Sequence, residues 1–225
     1  MVEPPLLPLR DDIPTRRTPY LTLGLVGLNL AVFIYQIVLS PPRAEALFFN
    51  LGLVPAWLTG LAPQAPPPEF VPRPLTLVTS MFLHADLFHV GGNMLYLWIF
   101  GNNIEDALGP ARFLVFYLLG GILAGLTQLA AAPASVIPVI GASGGVAAVL
   151  GAYLMLYPRA RVSVLFWFIF VQVVRVPAVI LLGLWFLLQV LGAGGAGVAV
   201  MAHIGGFVAG LLMIRLFLPR PRSLY

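Results

Sequence analysis

Ser143 stands in the run Gly141-Ala142-Ser143-Gly144-Gly145, and the chain holds three histidines, His84, His89 and His203, and no cysteine. A serine hydroxyl is a weak nucleophile until a neighbouring base takes its proton. His203 is the only such base in the later half of the chain. His89 and Asn93 are spaced i, i+4, which puts them on one face of a helix. Their N–H groups could receive the negative charge that forms when a carbonyl is attacked. A serine in the first turn of a helix adds free backbone N–H groups and the positive end of the helix dipole to the same anion. Nucleophile, base and anion donors are the parts that acyl transfer needs. The run also matches the G-x-S-x-G elbow of α/β-hydrolases, but that fold needs an acid between serine and histidine. No Asp or Glu follows Asp106, so a catalytic pair here is a Ser–His dyad unless an earlier acid folds in. The H-E-x-x-H spacing of a zinc site is missing, and neither a metal nor a cofactor is expected.

Composition says what must position these groups. Of the 225 residues, 60% are apolar and only 9% are charged, against about 25% charged in a soluble domain. Such a chain finds its solvent in lipid. The net charge of +4 comes from twelve arginines and no lysine against eight acids, which reads as interfacial anchors rather than a basic groove. Disorder, nucleic-acid binding and an ordinary cytosolic enzyme are excluded. Apolar runs predict membrane spans over about Tyr20 to Leu39, Leu87 to Ile104, Ala111 to Leu129, Gly141 to Tyr157, Pro177 to Leu191 and Val198 to Leu218. The first is too long for a signal-peptide core of about 7–15 residues. Val162 to Val174 would reach only about 20 Å as a helix, short of about 30 Å of hydrocarbon, and reads as interfacial.

The expected fold class is therefore an all-α membrane protein, a polytopic bundle of six transmembrane helices with both termini cytoplasmic. Residues 1–18 form an N-terminal tail and 219–225 a C-terminal tail. Residues 19–218 form the membrane domain, with a long proline-rich first loop over 41–79 and the interfacial segment over 161–176. With this topology Arg10, Arg16, Arg17, Arg112, Arg159, Arg161, Arg175, Arg215, Arg220 and Arg222 lie inside, and only Arg43 and Arg73 outside, as the positive-inside rule asks.

The second, fourth and sixth spans then enter the bilayer from the outside. His89, Asn93 and Ser143 fall in first turns, and His203 lies about 7–8 Å below the surface at 1.5 Å per residue. Polar groups within a membrane face a bundle interior or a water-filled cavity. Gly206 and Gly210 make a small face beside His203, and Gly144, Ala147, Ala148 and Gly151 a matching one after Ser143, which permits close helix approach. Each signal has a plainer competitor. Gly-Ala-Ser-Gly is also common packing, an intramembrane histidine can be structural or an ion ligand, and His89 with Asn93 can be interhelical glue. His84 reads as support in the preceding loop, and Asp86 as a solvated residue at the helix start. Glu105, Asp106 and Arg112 read as loop charges or an ion pair. Coincidence of depth favours the chemical reading.

Taken together, the chain resembles the rhomboid family of intramembrane serine proteases. The matching stretches are Met81-Phe82-Leu83-His84 through His89-Val90-Gly91-Gly92-Asn93, then Gly101 to Gly109 with Arg112-Phe113. Gly141-Ala142-Ser143-Gly144 follows, then Ala202-His203-Ile204-Gly205-Gly206 with Gly210. The resemblance implies Ser143 as nucleophile and His203 as general base. It implies His89, Asn93 and the Ser143 backbone as the oxyanion site, with Gly141, Gly144, Gly206 and Gly210 packing near it. The fifth helix would be a mobile wall beside the substrate's path. The chain departs from some members in two places. Trp57 is followed by Leu58 rather than arginine, and Ala147 stands where an aromatic would lie under the histidine ring.

The expected function is an intramembrane serine endopeptidase that cuts transmembrane helices of other proteins near the outer face. Its expected partners are transmembrane protein substrates and the lipid bilayer, with no nucleic acid. It is expected as an integral multi-pass protein of a prokaryotic cell (inner) membrane. The alternatives are a non-catalytic rhomboid-like client binder, which usually lacks the serine or the histidine, and a small transporter, which would carry ionisable groups in both leaflets.

Overall fold

The computed structural model describes residues 6–62, 71–167, 171–192 and 199–219. Pro63, Pro66, Pro67 and Pro68 of the first loop, Val198 and the tail arginines Arg220 and Arg222 lie outside the described residues. In chain order the elements are β1 (Leu6–Asp11), α1 (Tyr20–Val38), α2 (Pro41–Leu51), α3 (Pro55–Leu58), α4 (Thr76–Thr79), α5 (Leu87–Tyr96) and α6 (Asn102–Leu108). They continue with α7 (Pro110–Ala131), α8 (Ser143–Leu156), β2 (Arg161–Trp167), β3 (Val171–Pro177), α9 (Ala178–Val190) and α10 (Val200–Phe217). A π-helical turn over Leu97–Gly101 joins α5 to α6.

Among the described residues three helices, α1, α7 and α10, are long and apolar enough to cross a membrane. Their side chains are arranged inside out. On α1 the buried residues include Thr22, Asn29 and Gln36, each seven apart, while Leu23, Leu28, Leu30, Ile34 and Ile37 are exposed. A seven-residue period is about two helical turns, so the polar groups line one inward stripe. Each finds a partner there. Asn29 Nδ2 donates to Leu25 O, and Gln36 holds the His84 backbone from both sides, donating to its carbonyl at 2.9 Å and accepting from its N–H at 3.1 Å. The start of α1 is held by Glu105, whose carboxylate accepts from the N–H groups of Leu21 and Thr22 and from Thr22 Oγ1. Glu105 is 4% exposed, so the loop-charge reading is corrected. A carboxylate at a helix N-terminus satisfies orphan donors and complements the dipole. Arg112 in turn donates to the carbonyl of Phe217 at the end of α10.

The bundle centre is α8, whose residues from Gly144 to Tyr153 are all buried. It is flanked by α7 and α10 and packed on Phe100, Phe113, Phe116 and Tyr117. The all-α class needs a correction, because the mostly helical chain also carries an antiparallel sheet in the order β1-β2-β3. Segment 161–176 is too short to span and rich in valine, and β-branched side chains suit a pleated surface. Arg161 pairs with Pro177 across β2 and β3, and Leu7 with Leu165 across β1 and β2. The stretch expected as a tail thus supplies a strand. Asp11 at its end accepts from Asn103 Nδ2 at 2.5 Å and Tyr153 Oη at 2.6 Å. Burial pushes the Asp11 carboxyl above its usual range, against the pull of these hydrogen bonds.

Candidate active site

Ser143 opens α8, two residues after a position that only glycine can fill. Gly141 has φ +120°, a backbone region that L side chains avoid. Space forbids a side chain as well. A Cβ there would sit 2.6 Å from His89 Nε2 and 3.6 Å from Ser143 Oγ. The histidine nitrogen and the serine oxygen therefore flank one small volume, kept open by the missing side chain. The chain into the serine is pinned by its donors: Gly141 N–H bonds Ser80 O at 2.9 Å, and Ala142 N–H points to His84 Nε2 at 3.4 Å. The N–H groups of the first turn that follow are the orphan donors of the helix.

His89 is held in one tautomer. Its Nδ1 accepts from Ala85 N–H at 3.4 Å, which leaves the proton on Nε2, the atom facing Gly141. Its backbone N–H is capped by Asp86 Oδ1 at 2.8 Å, so Asp86 is an N-cap as well as a solvated side chain. Asn93, one turn on, is buried, and among the described residues its Nδ2 has no hydrogen-bond partner. A buried amide donor without a partner is costly in a finished core, and suits a site that receives an anion.

His84 is 1% exposed and its ring meets His89 edge-on at 5.0 Å. Burial, helped by the nearby His89, lowers its pKa to about 4 against the opposing Phe82 carbonyl and Asp86. A neutral His84 can accept the Ala142 N–H, which is the support expected of it.

His203 lies in the first turn of α10, part-buried. Its helix reaches Ser143 through a seam of backbone. A Cβ on Gly206 would strike the Gly144 carbonyl, one on Gly210 the Ala148 carbonyl, and one on Gly151 the Phe207 carbonyl. Gly144 is itself closed in by the Ala124 side chain. Helices at this separation leave no tolerance for added atoms. The start of α10 is fixed by Gln128, whose Oε1 accepts from Ala202 N–H at 3.3 Å. Among the described residues no hydrogen bond joins Ser143 Oγ to His203. Instead, His203 Nδ1 lies 2.8 Å from Gln189 Oε1, and the Trp185 ring lies 6.0 Å from the imidazole.

Reading the sequence missed Gln189 and Trp185. One signal was available, since Gln189 is the single polar amide in the otherwise apolar run of α9. Trp185 supplies the aromatic neighbour that Ala147 cannot. The first loop also regains what its sequence lacked, because the Arg73 guanidinium lies 4.8 Å over the Trp57 ring. Leu53 and Val139 exchange backbone bonds of 2.7 and 3.0 Å, tying that loop to the approach of Ser143. Among the described residues no cluster of three His, Cys, Asp or Glu could hold a metal ion.

Residues 72–220 match the family model for the Rhomboid domain. The chain is 32% identical over 206 residues to Rhomboid protein 1, mitochondrial, of Saccharomyces cerevisiae, covering 85% of this chain and 51% of that protein. It is 28% identical to the Presenilin-associated rhomboid-like protein, mitochondrial, of Homo sapiens, covering 64% of this chain and 34% of that protein. It is 34% identical to Rhomboid protease AarA of Providencia stuartii over 110 residues, 47% of this chain and 35% of that protein. The chain thus spans about half the length of the yeast relative and about a third of the other two. The expected prokaryotic cell membrane is overturned by this comparison, because the yeast and human relatives are mitochondrial proteins of eukaryotes.

Proposed function

The chain belongs to the rhomboid family, and from that premise we propose that it is an intramembrane serine endopeptidase working through Ser143 and His203. His203 takes the Ser143 proton as the hydroxyl attacks a peptide carbonyl. The oxyanion is received by the Ser143 N–H, His89 Nε2–H and Asn93 Nδ2. His203 then gives the proton to the leaving amine, and water, activated by the same imidazole, releases the acyl group. One hydrogen-bond donor to such an anion is commonly worth about 10²–10³ in rate.

The observation that carries this reading is the opening at Gly141, where His89 Nε2 and Ser143 Oγ face one volume that a single methyl group would fill. The seam at Gly206 supports the approach of the base. Six spans fit the arrangement, with α5 and α6 acting as one rod through the π-helical turn and the shorter α8 and α9 completing the bundle. The arginine asymmetry favours both ends of 19–218 on the same, arginine-rich side of the membrane. The substrate class is transmembrane helices of other proteins, unwound locally where they meet Ser143, since a closed helix hides its carbonyl carbons.

The test is labelling of the purified protein by a fluorophosphonate probe, comparing wild type with Ser143→Ala and His203→Ala. Wild type alone should label. Equal labelling of all three removes the dyad.

A further inference from the structure

The imidazole of His203 takes both its hydrogen bond and its aromatic neighbour from α9. Trp185 and Gln189 are i, i+4 residues on one face of that helix. Gln189 Oε1, 2.8 Å from Nδ1, can only accept, so the ring proton sits on Nδ1 and the Nε2 lone pair is free. Trp185 lies 6.0 Å from the ring, within the range at which an aromatic face attracts a cation. The start of α9 is anchored by the buried Ala178, Leu181 and Leu182, and its other side faces outward. Val179, Ile180, Leu184, Leu187 and Val190 are exposed, and Phe186 stacks on Phe207 at 4.7 Å. Among the described residues the bond to His203 is the only side-chain hydrogen bond that α9 makes.

We propose that Gln189 is a positioning residue for His203, so that the base is in its working tautomer only while α9 is seated against α10. This deepens the protease reading and rests on it. As the imidazole takes the Ser143 proton, the Nδ1–H to Oε1 bond becomes charge-assisted and strengthens. No covalent change occurs at Gln189. Without that acceptor both ring nitrogens lose their preference and the serine loses its base.

The test compares Gln189→Met, which keeps length and removes the acceptor, with Gln189→Glu, which restores one. Fluorophosphonate labelling of Ser143 should fall roughly tenfold in Q189M, the worth of one hydrogen bond made stronger by charge, and recover to within about threefold in Q189E. Nitrogen-15 histidine spectra of the detergent-solubilised protein should show one Nδ1–H tautomer for His203 in wild type and Q189E, and exchange between tautomers in Q189M. With three histidines in the chain, a His203→Ala sample assigns the signal. Wild-type labelling and an unchanged tautomer in Q189M overturn the role of Gln189 and leave the dyad standing. Full labelling of Ser143→Ala sinks the protease reading itself. If Q189M does not fold, Q189E labelling more than tenfold below wild type with a mixed tautomer overturns the proposal, and wild-type behaviour of Q189E supports it.

Discussion

Two surfaces meet at His203, and they hold it by different means. The seam with α8 is backbone against backbone, with Gly206, Gly210 and Gly151 each pressed on a carbonyl of the facing helix. The wall formed by α9 is side chain against side chain, with Trp185, Phe186 and Gln189 reaching across. Contact through carbonyls fixes spacing, because backbone has no rotamers to yield. Contact through long side chains fixes orientation and can be released by turning a few torsions. The separation of α8 from α10, and with it that of Ser143 from His203, is thus built into the seam, while the angle of the imidazole is delegated to the wall.

Breaking the seam should have the largest effect. Gly206→Val drives a branched side chain into the Gly144 carbonyl, and overpacking of this kind costs about 1–3 kcal/mol. Labelling of Ser143 should vanish and the melting temperature in detergent should fall. If labelling persists, the seam does not set the spacing.

Gly141→Ala comes next. It removes no polar group, yet it inserts a methyl between His89 Nε2 and Ser143 Oγ and needs an unfavourable φ. A loss of about a hundredfold in labelling rate is expected if it costs one oxyanion donor. His89→Ala should match it, with the deficit in kcat rather than KM on a transmembrane substrate. A pure KM effect would make His89 a substrate contact instead.

Trp185→Leu probes the wall. It should slow labelling only a few-fold, in keeping with about 0.5–2 kcal/mol for an aromatic face near a cation, and leave the melting temperature within about 2 °C. A melting change as large as that of Gly206→Val would erase the distinction between seam and wall.

The smallest effect concerns pH. The His84 pKa is lowered from 6.5 to about 4, so the folded state binds fewer protons than the unfolded one between these values. Its contribution is present above pH 6.5, is lost as pH falls through that window, and is gone below about pH 4. His84→Gln, which keeps an acceptor for Ala142 N–H, should flatten this part of the melting-versus-pH curve. An unchanged slope would remove His84 as its source.

Helices were legible in the sequence because lipid imposes long apolar runs, and Tyr20–Val38 and Pro110–Ala131 fall close to their expected bounds. Ser143, His89 and Asn93 stand out in the sequence because polar groups are rare in such runs, and His89 and Ser143 meet at Gly141. The sheet was not legible, since Val162 to Val174 is mostly apolar and its pairing with Leu6–Asp11 joins residues as distant in sequence as Leu6 and Phe166. Glu105 looked like a loop charge because its partners, Leu21 and Thr22, lie more than 80 residues away. Gln189 was hidden for the opposite reason. A lone amide in an apolar helix signals a partner, but nothing along the chain says that the partner is an imidazole on the next helix.

The bond from Asp11 to Tyr153 Oη has a mechanical consequence. Tyr153 stands near the far end of the same rod whose tip bears Ser143. The leading strand therefore grips the butt of that rod. A tug on the strand loads it end-on, like a cord tied to the handle of a chisel.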